Sequence, residues 1–273
     1  MSSQSNSSSP NTSFSNAVAR NYEDYLVPLI FDDYARDLAR TLAKNPGARV
    51  LETAAGTGVV TRHLQNTLNG AGRITATDIN EGMLEVAAER TNGKVAYQVA
   101  DATDLPFDDA SFDAVGCQFG VMFFPDRHRG FTEAARVLRS EGQFVFNLWD
   151  SLDHNRFPQV VHETVTALYP NQPMDFMTVP FCRQDLTAIK DELEAAGFSH
   201  IEIVVMPETS RATSAKDVVA GFVAGSPLRL ALEEHGRLDE ARNAVEQALI
   251  SEFGDGPIQA PMQATRISAC VRN

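Results

Sequence analysis

The feature that most constrains this chain is a short apolar run that ends in an acid and then opens into two glycines, Val50-Leu51-Glu52-Thr53-Ala54-Ala55-Gly56-Thr57-Gly58. A strand that stops this way and passes into a helical pattern leaves backbone N–H groups uncovered at a place where side chains would obstruct a ligand. The next apolar run, Arg73-Ile74-Thr75-Ala76-Thr77, closes on Asp78, a carboxylate well placed for a ribose diol. Strand, glycine turn, helix, strand and acid describe the nucleoside-binding end of a doubly wound α/β domain.

Which nucleoside binds depends on the spacing of the glycines. A dinucleotide fingerprint needs G-x-G-x-x-G, and the chain offers Gly56, Gly58 and then Thr61, or Ala54, Gly56 and then Val59. The pattern that fits is E-x-A-x-G-x-G, which resembles the first motif of the class I S-adenosylmethionine-dependent methyltransferases, with Ala54 where that family usually carries glycine. The resemblance continues in order. Ala76-Thr77-Asp78-Ile79-Asn80-Glu81-Gly82-Met83-Leu84 looks like the second motif, and Val99-Ala100-Asp101-Ala102-Thr103-Asp104-Leu105-Pro106-Phe107 like the third. Ser111 to Phe119 looks like the fourth strand and its active-site end, and Arg136 to Phe146 like the following helix, turn and fifth strand. Together these cover roughly residues 48–150. Within the family the chain is most similar to the type 11 branch, which includes the ubiquinone/menaquinone-biosynthesis C-methyltransferases.

The resemblance implies a doubly wound, Rossmann-like seven-stranded sheet whose last strand is antiparallel, and S-adenosyl-L-methionine as cofactor. It implies that Glu52, Thr53, Ala54, Gly56, Thr57 and Gly58 form the cofactor loop and that Asp78 holds the ribose. Ile79 and Met83 would flank the adenine, and Asp101, with Ala102 and Thr103, would meet its amino group. Gln118 and Phe119 would face the methionine moiety or the acceptor, and Tyr22, in Asn21-Tyr22-Glu23, would close over the cofactor. Two other readings stay open on the residues alone: an NAD-dependent oxidoreductase and a non-catalytic S-adenosylmethionine-binding regulator.

Charge narrows the acceptor. With 36 acidic against 23 basic residues the formal net charge is −13, and no Lys/Arg run appears to neutralise phosphates. This favours a small-molecule acceptor over nucleic acid. No apolar run approaches the ~18–20 residues of a membrane span, since Gln118 interrupts the longest, Val115 to Phe124. The start lacks a signal-peptide pattern. Cys117, Cys182 and Cys270 lie far apart and read as reduced thiols of a cytoplasmic protein. No metal-ligand spacing stands out, and the sequence is silent on oligomeric state.

Along the chain, residues 1–13 are Ser/Asn-rich and are expected to be disordered, with the methyltransferase domain running over 14–273. Ala17 to Ala43 reads as helical, broken at Pro28. Strands are expected near 48–53, 73–78, 95–100, 112–118, 143–149, 200–206 and 264–271, with helices at 57–68, 81–90 and 129–138. The spacing of Leu186, Ile189, Leu193 and Ala196 predicts a further amphipathic helix, closed by Gly197. Residues 151–182 and 214–256 exceed the core fold and read as helical cap insertions over the carboxyl ends of the strands. Their Phe157, Tyr169, Phe176, Phe181, Phe222 and Leu228 are expected to include the walls of an apolar pocket above Gln118 and Phe119. Among six histidines, His154, just past the fifth strand, is the candidate catalytic base.

Overall fold

Seven strands form one sheet: β1 (Arg49–Glu52), β2 (Arg73–Asp78), β3 (Val95–Val99), β4 (Phe112–Gln118), β5 (Leu138–Trp149), β6 (Phe198–Ala212) and β7 (Ile258–Val271). Their order is β3-β2-β1-β4-β5-β7-β6. The first five run parallel, and β7 lies antiparallel to both β5 and β6. The computed structural model describes residues 16–170 and 175–272, so the tail expected over 1–13 lies outside the described residues.

Alternation along the strands builds two apolar layers. On β5, Val145 and Trp149 face one way, while Phe144, Phe146 and Leu148 face the other. The first face is covered by α2 (Asp32–Leu42) and α3 (Val59–Leu68), which contribute Tyr34, Leu38, Leu42, Val60 and Leu64. The opposite face is covered by α5 (Arg127–Val137) and α7 (Leu186–Ala195) through Phe131, Val137, Ile189 and Leu193. Both faces being buried explains why β4 and β5 read as near-continuous apolar runs. α4 (Glu81–Glu89) begins on the Asn80 side chain, which accepts from the Met83 N–H at 3.2 Å.

Three boundaries differ from expectation. The N-terminal helix is not broken at Pro28: α1 (Asn16–Asn21) passes into a π-helical stretch, Tyr22–Phe31, and then into α2. The wider coil carries the proline, and the Asp32 N–H reaches five residues back to the Val27 carbonyl. Strand β5 starts at Leu138, which pairs with Phe112 ahead of a bulge, while Glu141 turns through φ 59°. The β6–β7 hairpin is longer than its apolar pattern suggests, pairing on as far as Ala212 with Ile258. Its outer arm runs past the Trp149–Ala264 pair that ends β5, and buries Ile258, Ala260 and Met262. Tertiary packing, invisible in local sequence, stabilises that extension.

Because β6 runs parallel to β5, the segment between β6 and β7 leaves the sheet at the carboxyl ends of the parallel strands. It forms α8 (Ala215–Val219), a short π-helical turn (Ala220–Ala224), α9 (Leu228–Glu234) and α10 (Leu238–Phe253). From the other insertion, α6 (Arg156–Leu168) packs against α10, with the Phe157 and Phe253 rings 5.2 Å apart. These helices share one apolar cluster with the π-helical stretch and with α2. Among the described residues no helix is long and apolar enough to cross a membrane.

Candidate active site

The turn after β1 is built on left-handed backbone. Ala54, Gly56 and Gly58 have φ of 51°, 55° and 80°. At Gly58 a Cβ would lie 2.9 Å from the Ala87 Cβ, so glycine there lets α4 approach the start of α3. At Gly56 a Cβ would meet nothing within 4 Å, leaving an open face for a ligand. Ala54 adopts the same region without glycine's freedom, a strained position for a residue with a side chain.

Asp78, at the end of β2, grips this turn. Its Oδ2 accepts from the Gly56 N–H and its Oδ1 from the Asn80 N–H, each at 2.8 Å. Burial raises its pKa although these backbone donors work the other way. Beyond it, Ile79, just past the end of β2, and Val99, the last residue of β3, have 44 % and 50 % of their surface exposed. Two apolar chains are thus left open beside Asp78. Asp101 follows, its Oδ1 accepting from both the N–H and the hydroxyl of Thr103 at 2.8 Å, with Ala102 between them. Met83 is buried against Ala19, Val86 and Tyr22 rather than open in that slot.

A second half of the site lies toward β4. Tyr22, Glu52, Ala54, Gly56, Thr57 and Gln118 line one cleft with Phe31, Ala55, Val59 and Val60, enclosing about 280 Å³ when space open to solvent is counted. Glu52 is 1 % exposed and accepts from the Thr61 hydroxyl at 2.5 Å. Burial pushes its carboxyl up to about 8, against the opposing pull of Thr61 and Arg62. Glu23, also buried, accepts from the Thr57 hydroxyl at 2.5 Å and pairs with Arg62 at 2.7 Å, and burial raises its pKa too. Burial, then the charges of Asp78 and Glu23, drives the Tyr22 phenol far up, so it stays neutral. Gln118 donates through Nε2 to the Phe31 carbonyl at 2.9 Å, while its Oε1 is buried without a partner. Thr53 is buried, its N–H on the Gly116 carbonyl at 2.9 Å, and supports the turn from below.

Phe119 lies outside the cleft lining. It is held at φ 52° and stacks on Trp149, with centroids 3.8 Å apart and planes at 4°. Phe31 stands 5.5 Å from Phe119 and 5.8 Å from Trp149, Tyr34 meets both rings edge-on, and Phe181 tilts onto Trp149 at 5.2 Å. The space expected as an open apolar pocket is thus filled by rings, and Phe157, Tyr169, Phe181, Phe222 and Leu228 are core. His154 also lies outside the cleft lining. Its ring is half exposed and its Nδ1 sits 3.5 Å from both Asp150 Oδ1 and Ser151 Oγ. Sequence reading missed Phe31, Val99 and Glu23; only Glu23 had a signal, as the acid beside Tyr22.

The residues present fit a nucleoside that carries positive charge. The site offers the Asp78 carboxyl at the end of β2, exposed apolar chains beside it, an open glycine, two further buried carboxyls and the unpaired Gln118 oxygen.

Comparison with known proteins agrees with this chemistry. A family described as a methyltransferase domain matches residues 51–146. A demethylmenaquinone methyltransferase of Mycobacterium sp. (strain KMS) is 33 % identical over 198 residues, covering 68 % of this chain and 84 % of that protein. A ubiquinone/menaquinone biosynthesis C-methyltransferase of Stenotrophomonas maltophilia (strain R551-3) is 35 % identical over 135 residues, 46 % of this chain and 53 % of that one. The chain spans 43 % of the length of a demethylmenaquinone methyltransferase of Clavibacter sepedonicus, to which it is 44 % identical over 108 residues, 39 % of this chain. Among solved structures, a putative methyltransferase of Bacillus halodurans superposes with TM-score 0.57 at 20 % identity, over 88 % of this chain and all of that one, and shares the fold. The chain therefore belongs to the class I S-adenosylmethionine-dependent methyltransferases, in the branch that contains the demethylmenaquinone and ubiquinone/menaquinone methyltransferases.

Proposed function

We propose that this methyltransferase methylates a ring carbon of a small, planar, largely apolar acceptor of the quinol type. The observation that carries the reading is the packed aromatic wall of Phe119, Trp149 and Tyr34, joined to the cleft through the lining residue Phe31. Flat apolar acceptors suit such a wall through stacking and desolvation. The names of the sequence relatives support a quinone-pathway carbon acceptor, and the acidic net charge fits poorly with a nucleic acid.

Bound S-adenosylmethionine supplies a methyl group already activated by its sulfonium. The chain's task is then to position and to exclude water. We assign Asp78 and Asp101, with Ile79, Ala102 and Thr103, to the nucleoside end. Glu52, Gly56, Thr57, Gln118 and Tyr22 face the methionine end, with Thr53, Ala54 and Gly58 shaping the turn and Met83 backing the adenine wall. Holding the acceptor carbon in line with the methyl and sulfur contributes on the order of 7–11 kcal/mol in well-oriented reactions. The insertions at 151–182 and 214–256 serve as the cap that keeps the site dry while charge disappears from the sulfonium. His154, with Nδ1 turned toward Asp150, takes the acceptor's proton through its other nitrogen.

The test supplies methyl-labelled S-adenosylmethionine with a panel of short-chain quinols, phenols and amines, and locates the label by NMR. Label on a quinol ring carbon is the expected result. Label only on oxygen or nitrogen, or on none of the flat acceptors, overturns the acceptor assignment. His154→Ala should lower kcat by about 10²-fold; an unchanged kcat removes His154 from the mechanism.

A further inference from the structure

Four buried polar atoms beneath α2 lack hydrogen-bond partners, and they sit on three residues that are neighbours in strand register. Gln118 on β4 pairs with Asn147 on β5, and Asn147 pairs with Arg266 on β7. Residues opposite one another in adjacent strands point to the same face, with strands about 4.8 Å apart. Here that face is the one under α2, since Arg266 Nη1 donates to Asp37 Oδ2 at 2.6 Å and Gln118 reaches Phe31. The orphaned atoms are Gln118 Oε1, both Asn147 amide atoms and Arg266 Nε. Asn147 itself is 0 % exposed.

Their chemistry is complementary. Gln118 Oε1 needs a donor and the Asn147 amide nitrogen carries two N–H groups. The Asn147 carbonyl oxygen needs a donor and Arg266 Nε carries one. Buried groups of this kind are paired in folded proteins, directly or through an ordered water. A small turn of the two amides, or one bridging water at each gap, completes a continuous chain. It runs from Asp37 on α2, through Arg266, Asn147 and Gln118, to the Phe31 carbonyl at the end of the π-helical stretch.

We propose that Gln118, Asn147 and Arg266 form one hydrogen-bond relay in which Asn147 is the positioning residue for the cofactor cleft. With its oxygen held by Asn147, the Gln118 amide is fixed with Nε2 toward Phe31, and two cleft-lining residues are set from a point outside the cleft. Asn147 touches neither cofactor nor acceptor in this arrangement; it acts through Gln118. The inference rests on the cofactor reading of the cleft and is independent of which acceptor is methylated.

Titration calorimetry of the full chain with S-adenosylhomocysteine tests it. Asn147→Leu and Arg266→Lys should each raise Kd about five- to tenfold. Arg266→Lys keeps a cation facing Asp37 and removes the Nε–H together with the guanidinium fork that also reaches the Thr41 hydroxyl, all at a distance from the cleft. In the Gln118→Leu background the Asn147→Leu effect should vanish, because its route to the cleft is gone. Turnover should show KM for S-adenosylmethionine rising with kcat within about threefold. If Asn147→Leu does not fold, Asn147→Asp replaces it: that side chain still accepts from Arg266 but as a carboxylate offers Gln118 no donor. A merely structural Asn147 would leave Kd unmoved, and unchanged Kd in Asn147→Leu and Arg266→Lys, or additive losses in the double variant, overturns the relay. Failure of the wild-type chain to bind S-adenosylhomocysteine would instead overturn the cofactor reading of the cleft.

Discussion

At the scale of single residues, the site keeps carboxyls out of water before any cation arrives. Glu52 has a folded pKa of about 8 and an unfolded one near the ordinary ~4.3, so between those values the folded chain holds the extra proton. Stability from this group is therefore full below about pH 4 and falls as pH rises through about 8, by up to a few kcal/mol. Glu23 and Asp78 are shifted in the same direction and add slopes of the same sign. Glu52→Gln should flatten the decline in melting temperature between pH 5 and 8, and an unaltered slope would mean that Glu52 is already ionised. A sulfonium bound beside Glu52 favours the charged carboxyl, so at pH 7 binding should release protons. Calorimetry in buffers of different ionisation enthalpy reads that release, which should be larger for S-adenosylmethionine than for its uncharged-sulfur product.

Ala54 sets a second residue-scale expectation. Its φ of 51° is strained, yet its methyl fills the space against Gly120, where an added Cβ would lie 2.5 Å away. Ala54→Gly relieves the backbone but loosens the unfolded chain, giving a net gain of at most about 1 kcal/mol. Gly120→Ala collides with the Ala54 methyl and comes within 2.8 Å of Cys117 Sγ, and should cost about 1–3 kcal/mol. In the Ala54→Gly background part of that cost should return. Fully additive melting shifts would show that the two positions do not meet.

At the scale of elements, the parallel half of the sheet was legible because its signals are local. Glycine turns, strand-ending acids and apolar runs lie within a few residues of one another, and Glu52, Asp78 and Gln118 end β1, β2 and β4. What escaped depends on partners far along the chain. Nothing near Pro28 announces a π-helical stretch, since the wide coil is held by packing on the turn Ala220–Ala224. Phe31 enters the cleft only because that stretch lies across the strand ends. Glu23 is the tether: its ion pair with Arg62 and hydrogen bond with Thr57 fasten the stretch to the turn after β1 and the start of α3. Glu23→Ala removes both the ion pair with Arg62 and the hydrogen bond from Thr57, with an expected loss of about 1–3 kcal/mol. Amide exchange over Tyr22–Phe31 should quicken more than elsewhere in the fold. Uniform acceleration across the sheet would show a general loss of stability and no tether.

For the whole molecule, the decisive feature is that the proposed cap and the sheet share one apolar cluster. Phe222, Val223, Leu232, Val245 and Leu249 are buried in the same cluster as Tyr34, Phe119 and Trp149. A cap packed this way cannot swing clear without exposing core. Room for an acceptor must therefore come from rearranged rings and a small displacement of the cap. Trp149 is the chain's single tryptophan and lies in the centre of those rings, so its emission reports the event directly. Stacked on Phe119 and buried, it should emit at short wavelength in the free protein. S-adenosylhomocysteine alone should change that emission little, because Trp149 is absent from the cleft lining. Adding a flat quinol analogue should shift or quench it as the Phe119–Trp149 stack opens. Amide exchange over 214–256 should slow in the same ternary mixture, since a filled site leaves the cap fewer openings. Emission that follows the cofactor and ignores every flat acceptor would place the acceptor elsewhere on the molecule and leave the aromatic cluster as plain core.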